Sequence, residues 1–515
     1  MSDSALERDA HPPAHRAVAS RRVAANTVLN AAGSALPLVA AYFAMPALAR
    51  GLGIDRFGVL TLGWAVLGYL TLFDLGLGRT VTKIVADGIA TKREHDLAPT
   101  VWTAVWVLFA FGLALGGLAA LAAPALATRA LHDTPALRGE ALTAFYVLAA
   151  AAPVLLVGAA MRGVLEGAQR FDLVNAVRVP AGLFTFLGPV LILPFTTSVS
   201  VVMLALLAGR VAGALVQLVL AVRVLPALSE RAWPARRAAG PLLRAGAWMS
   251  AGNVLAPLMM TADRFLMAGT LSIAAVGFYT APYEIVTKLW LVPGAVSAAL
   301  FPAFAGALAD GRGLRDLFSR GVTATFVILV PPALVLLAFA REGLDGWMGH
   351  DFALHGTWVV RWLAVGIVVN SVAQIPHALL QSAGRAPAVA KLHALELPAY
   401  LGALVLLMRE YGVAGAAFAW TARAVVDAAG LFWLSLPVAP LGEARTRRLA
   451  GLGGAAAAAA LLATALPLAA RLVFVSLVIA LFLAAAWRFA LRLDERAALA
   501  RLTRRIGAPG VQGAL

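Results

Sequence analysis

Thr261-Ala262-Asp263-Arg264-Phe265 lies inside a hydrophobic run, with Gly277-Phe278-Tyr279-Thr280 following it and Phe301-Pro302 closing the stretch. An acid and an arginine stand side by side where a helix would otherwise be apolar. In the next hydrophobic run Glu284 and Lys288 follow at i, i+4 spacing, on one helical face. Ionisable groups at membrane depth cost about 2.5 to 3.5 kcal/mol each by insertion scales, and they face a bundle interior or a water-filled cavity. Residues 253–302 are therefore where a substrate path is expected.

Composition supplies the membrane. Of 515 residues, 61% are hydrophobic and only 13% charged, and mean hydropathy is +0.85. The apolar runs recur at lengths near 20 residues, enough to cross a bilayer core of about 30 Å. A net charge of +16 would point to nucleic acid in a soluble chain. Here the basic residues fall in short segments between apolar runs, so they read as topology signals and no nucleic-acid partner is expected. The absence of cysteine excludes a disulfide framework, a thiolate nucleophile and a Cys-based metal site.

The pattern predicts an all-α polytopic membrane protein of about fourteen transmembrane helices. Residues 1–22 read as a polar cytoplasmic tail, since the apolar run after Arg21-Arg22 is too long for the core of a cleavable signal. Six helices, at 23–48, 57–88, 99–127, 142–166, 173–194 and 200–224, make a first lobe over 23–224. A basic linker spans 225–244. Six more, at 245–269, 275–303, 320–340, 357–383, 387–408 and 412–437, make a second lobe over 245–437. Two extra helices, at 449–470 and 472–492, occupy 438–492, and 493–515 is a second cytoplasmic tail. With this threading roughly 30 of the 42 basic residues, Arg162 and Arg170 among them, fall on the cytoplasmic side as topology markers and about 8 on the other.

The chain also repeats itself. Leu52-Gly53-Ile54-Asp55-Arg56-Phe57-Gly58-Val59-Leu60-Thr61 parallels Leu271-Ser272-Ile273-Ala274-Ala275-Val276-Gly277-Phe278-Tyr279-Thr280. Leu165-Glu166-Gly167-Ala168-Gln169-Arg170 parallels Leu380-Gln381-Ser382-Ala383-Gly384-Arg385 at nearly the same spacing. Six helices per copy keep the copies in one orientation, so the expected architecture is two parallel lobes around a central cavity.

Charges inside the runs are the candidate chemistry. Asp74-Leu75-Gly76-Leu77-Gly78-Arg79 precedes Lys83, and the glycines allow a bend near the acid. Arg79 and Lys83 equally fit a pair snorkelling at a cytoplasmic helix end. Arg210 has no acid within a turn, which favours a cavity-facing role, whereas Asp427 lies one turn beyond Arg423 and can pair with it. Asp263 with Arg264 and Glu284 with Lys288 either pair among themselves or serve as an anion site whose acids carry protons. His377, His393 and Glu396 read as polar contacts near a cytoplasmic end rather than a proton relay. Tyr279 and Tyr283 read as interfacial aromatics. No phosphate-binding GxxxxGK[ST] loop and no HExxH metal motif occurs, and no loop is long enough for a soluble catalytic domain. Neither enzyme activity, metal nor cofactor is expected.

Asp263-Arg264, then Val276-Gly277-Phe278-Tyr279 with Ala281, then Leu300-Phe301-Pro302 resembles the seventh and eighth helices of bacterial polysaccharide-biosynthesis flippases. These are the Wzx-type branch of the multidrug/oligosaccharidyl-lipid/polysaccharide exporter superfamily. Phe73-Asp74-Leu75-Gly76-Leu77-Gly78, the stretch from Leu165 to Phe171, and Tyr411-Gly412-Val413-Ala414-Gly415-Ala416-Ala417 extend the resemblance over about residues 23 to 440.

The resemblance implies alternating access and a cargo of undecaprenyl-pyrophosphate-linked oligosaccharide. That cargo would move to the periplasmic leaflet of the bacterial inner membrane for O-antigen, capsule or exopolysaccharide synthesis, with polysaccharide polymerase or ligase machinery as partners. It makes Lys83, Arg210, Arg264 and Lys288 candidate pyrophosphate contacts, and Asp74, Asp263, Glu284 and Asp427 candidate coupling or ion-pair acids. A drug/cation antiporter or a peptidoglycan lipid II flippase of the same superfamily is the alternative, with a membrane glycan ligase or polymerase behind them. The basic cluster expected early in the first helix of the lipid II branch is absent beyond Arg21 and Arg22.

Overall fold

A computed structural model describes residues 36–70, 76–132, 134–230, 233–234, 240, 262–440 and 442–490. Among them there is no strand, and the chain divides into two compact units, Met1–Gly277 and Phe278–Leu515. The first unit holds α1 (Leu36–Leu52), α2 (Ile54–Leu70), α3 (Leu77–Ala90), α4 (Leu97–Ala130), α5 (Arg138–Gly167), α6 (Phe171–Ile192), α7 (Val199–Val224) and α8 (262–270). The division falls inside α9 (Ile273–Val286). The second unit continues with α10 (Leu291–Asp310), α11 (Leu314–Trp347), α12 (His350–Ser382), α13 (Ala386–Ser435), α14 (Glu443–Leu462) and α15 (Leu468–Ala485). Ten helical segments among the described residues are long and apolar enough to cross a bilayer.

The polytopic all-α reading holds, and the places where helices break are local chemistry. The run expected at 57–88 is two helices, because Gly76 takes the left-handed conformation (φ 64°) just before α3. The run at 275–303 is α9 and α10 joined by a 3₁₀ turn, Thr287–Trp290, between Pro282 and Pro293. The two helices expected at 387–408 and 412–437 meet inside α13 at Gly412, whose φ 58° and ψ −138° admit essentially only glycine.

In the first unit Leu77, Val81 and Val85 of α3 pack with Leu108 of α4 and Leu156, Val164 and Leu165 of α5. Large apolar side chains turned outward, such as Leu118 and Leu121 on α4 and Leu472, Val473 and Leu477 on α15, are what hydrocarbon contact selects. With lipid as apolar as leucine, helices associate through close approach at small residues. The two glycines matched by the internal repeat show this directly. A Cβ on Gly58 would collide with the Ile273 carbonyl, and one on Gly277 would lie 3.0 Å from Ile54 Cδ1 and 3.3 Å from Phe57 Cδ1. Thus α2 crosses the start of α9 at the repeated positions. Gly58→Val is expected to cost about 1 to 3 kcal/mol by overpacking against backbone that cannot give way, read as a lower thermal midpoint in detergent; an unchanged midpoint would refute the crossing.

In the second unit the C-terminal pair is latched by Arg471, which is only 8% exposed. Its Nη1 donates to Glu342 Oε1 at 2.6 Å and to the Ala338 carbonyl at 3.3 Å. Its Nη2 donates to the carbonyls of Thr464 and Leu466, both at 2.9 Å. One guanidinium thereby joins the α14–α15 turn to α11, just where Phe339 leaves helical geometry (φ −113°, ψ 19°).

Candidate functional site

Near the middle of α7, Gly209-Arg210 and Gly213 interrupt a mostly aliphatic helix. The Arg210 guanidinium donates from Nη2 to the Thr185 hydroxyl of α6 at 3.1 Å, and it has no ion-pair partner among the described residues. It borders a cavity of about 210 Å³ between α5, α6 and α7 that Arg162, Arg178 and Gln217 also line. Among the described residues no carboxylate lines it. Arg162 lies 3.7 Å from Glu166 one turn along α5, a loose pair with both side chains about one-third exposed. Three guanidiniums around one cavity are suited to an anion with several oxygens, since each presents a planar fork of donors.

Arg210 is also part of a second, larger cavity of about 420 Å³, lined by Pro180, Phe184, Thr185, Leu206, Ala212 and Val216. The sequence reading identified Arg210 but took Arg162 as a topology marker and did not single out Arg178. The available signal for Arg178 was a cation several residues inside the hydrophobic run at 173–194. At the turn before α6, Arg170 Nη2 donates to Asp172 Oδ2 at 2.8 Å, and that bond holds the exposed guanidinium above its usual pKa.

A second polar cluster lies wholly in the second unit. Once the chain turns at Gly412, the halves of α13 face each other. His393 Nε2 then comes 3.1 Å from Asp427 Oδ1, and Arg423 Nη1 comes 4.0 Å from Glu396 Oε2. Asp427 therefore meets His393 rather than Arg423, its expected partner one turn away. Arg423 also lies over the Tyr400 ring, 5.5 Å from its centroid, and the His377 ring of α12 stacks on that of His393 at 6.2 Å. Glu396 and Asp427 are both buried. Two acids, two imidazoles and one guanidinium thus share an apolar setting, a group that can exchange a proton at low cost in local charge.

The remaining sequence candidates are dispersed. Asp263 and Arg264 are both buried, and Asp263 Oδ1 accepts from the Arg264 backbone N–H at 2.8 Å. Lys288 Nζ is 2.7 Å from Glu284 Oε2 at the 3₁₀ turn, which supports pairing for these two over an open anion contact. Lys83 is exposed on α3, one turn from exposed Arg79, and Asp74 lies outside the described residues. Tyr279 and Tyr283, expected at the interface, are buried, their ring centroids 5.7 Å apart. Among the described residues no group of His, Asp or Glu could hold a metal ion.

A family model described as "Polysaccharide biosynthesis protein" matches residues 47–353. A Shigella flexneri protein named "Putative O-antigen transporter" is 28% identical over 409 residues, covering 79% of this chain and 96% of that one. Among solved structures, an inward-facing multidrug resistance MATE family transporter of the MOP superfamily superposes with a TM-score of 0.67 at 16% identity. It covers 79% of this chain and 97% of the other. The lipid II flippase MurJ in an inward closed conformation superposes with a TM-score of 0.62 at 10% identity, covering 86% and 99%. At those identities the structural likeness speaks for the fold. With over half its length inside the family model, the chain belongs to the polysaccharide biosynthesis protein family.

Proposed function

We propose that the protein is a flippase that carries undecaprenyl-pyrophosphate-linked oligosaccharide from the cytoplasmic to the periplasmic leaflet of the bacterial inner membrane. Both termini are cytoplasmic in this reading, by the bias of basic residues, and the product feeds surface-polysaccharide polymerase or ligase machinery. The observation that carries the proposal is the cavity lined by Arg162, Arg178 and Arg210. A pyrophosphate cannot enter hydrocarbon unaccompanied, whereas guanidiniums can hold it and the lipid tail never has to leave the bilayer. No bond is made or broken. The test is leaflet-resolved transport of a fluorescent pyrophosphate-linked glycolipid in proteoliposomes, where the wild type is expected to move the probe. If it moves cationic dyes under a gradient and not the glycolipid, the flippase reading is overturned.

Work must then come from an ion gradient, the membrane potential or downstream consumption of the product, and for a proton gradient the His393–Asp427 and Glu396–Arg423 pairs, with His377 stacked beside them, are the proposed coupling groups. The same buried acids favour the drug/cation antiporter as the second reading. Asp427→Asn is expected to lower proton-gradient-driven transport about tenfold, ~1.4 kcal/mol in the barrier, with gradient-free exchange unchanged. Equal loss in both assays would place Asp427 in folding or cargo binding instead.

A further inference from the structure

The two cavities on Arg210 share one wall, and their chemistry differs. The smaller is lined by three arginines and a glutamine; the larger is lined by Pro180, Phe184, Leu206, Ala212 and Val216 with Thr185. Between them α6 and α7 come close, since a Cβ on Gly209 would lie 2.7 Å from the Phe184 ring. An anionic head with a long apolar chain satisfies both halves at once, by charge on one side and by hydrocarbon contact on the other.

Depth decides which lipid. At 1.5 Å per residue Arg210 is about 16 Å from Val199 and about 21 Å from Val224, close to the middle of α7. Resident phospholipid headgroups sit about 15 Å from the bilayer centre, so they do not reach Arg210. A headgroup there is in passage. The other cations lie nearer one face. The short turn between α5 and α6, and the longer link from α6 to α7, bring Gly167, Phe171 and Val224 to the same side of the membrane. From that side Arg162 lies about 8 Å in, and Arg178 and Gln217 about 10 Å in. Together with Arg210 they form a ladder of donors leading from one face to mid-depth.

We infer that the first unit holds a combined head-and-tail seat for a lipid in transit: the phosphates step from Arg162 and Arg178 to Arg210 while the polyprenyl chain lies in the α6–α7 groove. This rests on the flippase reading and adds to it where the lipid travels. A polyprenyl-pyrophosphate-linked disaccharide with a diazirine on its tail tests it. The probe is photolysed during transport by the reconstituted full chain, and the labelled peptides are mapped.

Labelling is expected on peptides within 176–216. It should fall at least about tenfold in Gly213→Leu, whose Cβ has room (nearest atom Val177 Cγ1, 3.8 Å) but whose side chain fills the groove. Normal transport with labels elsewhere overturns the seat and leaves the flippase intact. Equal labelling of the groove by a diazirine phosphatidylglycerol overturns its assignment to the transported lipid. A wild type that neither transports nor is labelled by the probe overturns the flippase reading and the seat with it.

Discussion

Arg210→Ala should slow glycolipid flipping about 30- to 100-fold while leaving the protein at least as stable as the wild type. A guanidinium near the middle of a transmembrane helix is unfavourable unless something compensates it. Among the described residues its hydrogen-bond partner is a neutral hydroxyl, Thr185, and none of them lines the cavity with a carboxylate. The missing compensation is the cargo's own charge. Losing a set of charge-assisted hydrogen bonds is worth about 2 to 2.7 kcal/mol, which converts to the fold-change stated. The unliganded fold, by contrast, is relieved of a desolvated cation. Arg210→Lys keeps the charge without the planar fork and should recover only part of the rate. Stopped-flow quenching of a leaflet-resolved probe gives the rate, and thermal unfolding in detergent gives the stability. A loss of both together would make Arg210 a structural residue.

Arg471→Ala should produce the largest stability effect, about 3 to 5 kcal/mol, concentrated in the C-terminal helix pair. Its guanidinium serves Glu342 and three backbone carbonyls, those of Ala338, Thr464 and Leu466. Without it those carbonyls are left in an apolar setting, each costing about 1 to 3 kcal/mol if nothing replaces the donor. Glu342→Gln should cost far less, about 1 kcal/mol, because that carboxylate is 35% exposed and the carbonyl bonds survive. Limited proteolysis of the segment joining α13 to α14, compared with the thermal midpoint, checks both. Equal sensitivity of the two variants would mean that the ion pair, and not the carbonyl bonds, holds the pair of helices.

The candidate site was only partly legible before the fold. Arg210 could be found because a cation without a nearby acid is conspicuous in one dimension. Arg162 could not, since a cation near the end of a hydrophobic run looks like any topology marker until its neighbours in space are known. The residues of the second cluster were named in the sequence, but the pairing of His393 with Asp427 was missed for a related reason. Spacing along a helix proposed Arg423 for Asp427, but the turn at Gly412 brings α13 back on itself and supplies partners from the other half.

What the sequence determined by itself is the class and the hydrophobic segments. A bilayer forces every backbone group to be satisfied within its own segment, so length and apolarity in one dimension suffice to read the helices. The helix boundary expected before residue 412 falls at Gly412, whose backbone conformation only glycine readily adopts, whereas the break at Gly76, inside a run read as one helix, came from the structure. Only the tertiary structure decided which charges meet. Pairing depends on helix rotation and crossing, which are set by close approach of small residues such as Gly58 against Ile273 and leave no periodic trace in the chain. For the same reason Arg162, Arg178 and Arg210, on three successive helices, became one cavity only when those helices were packed.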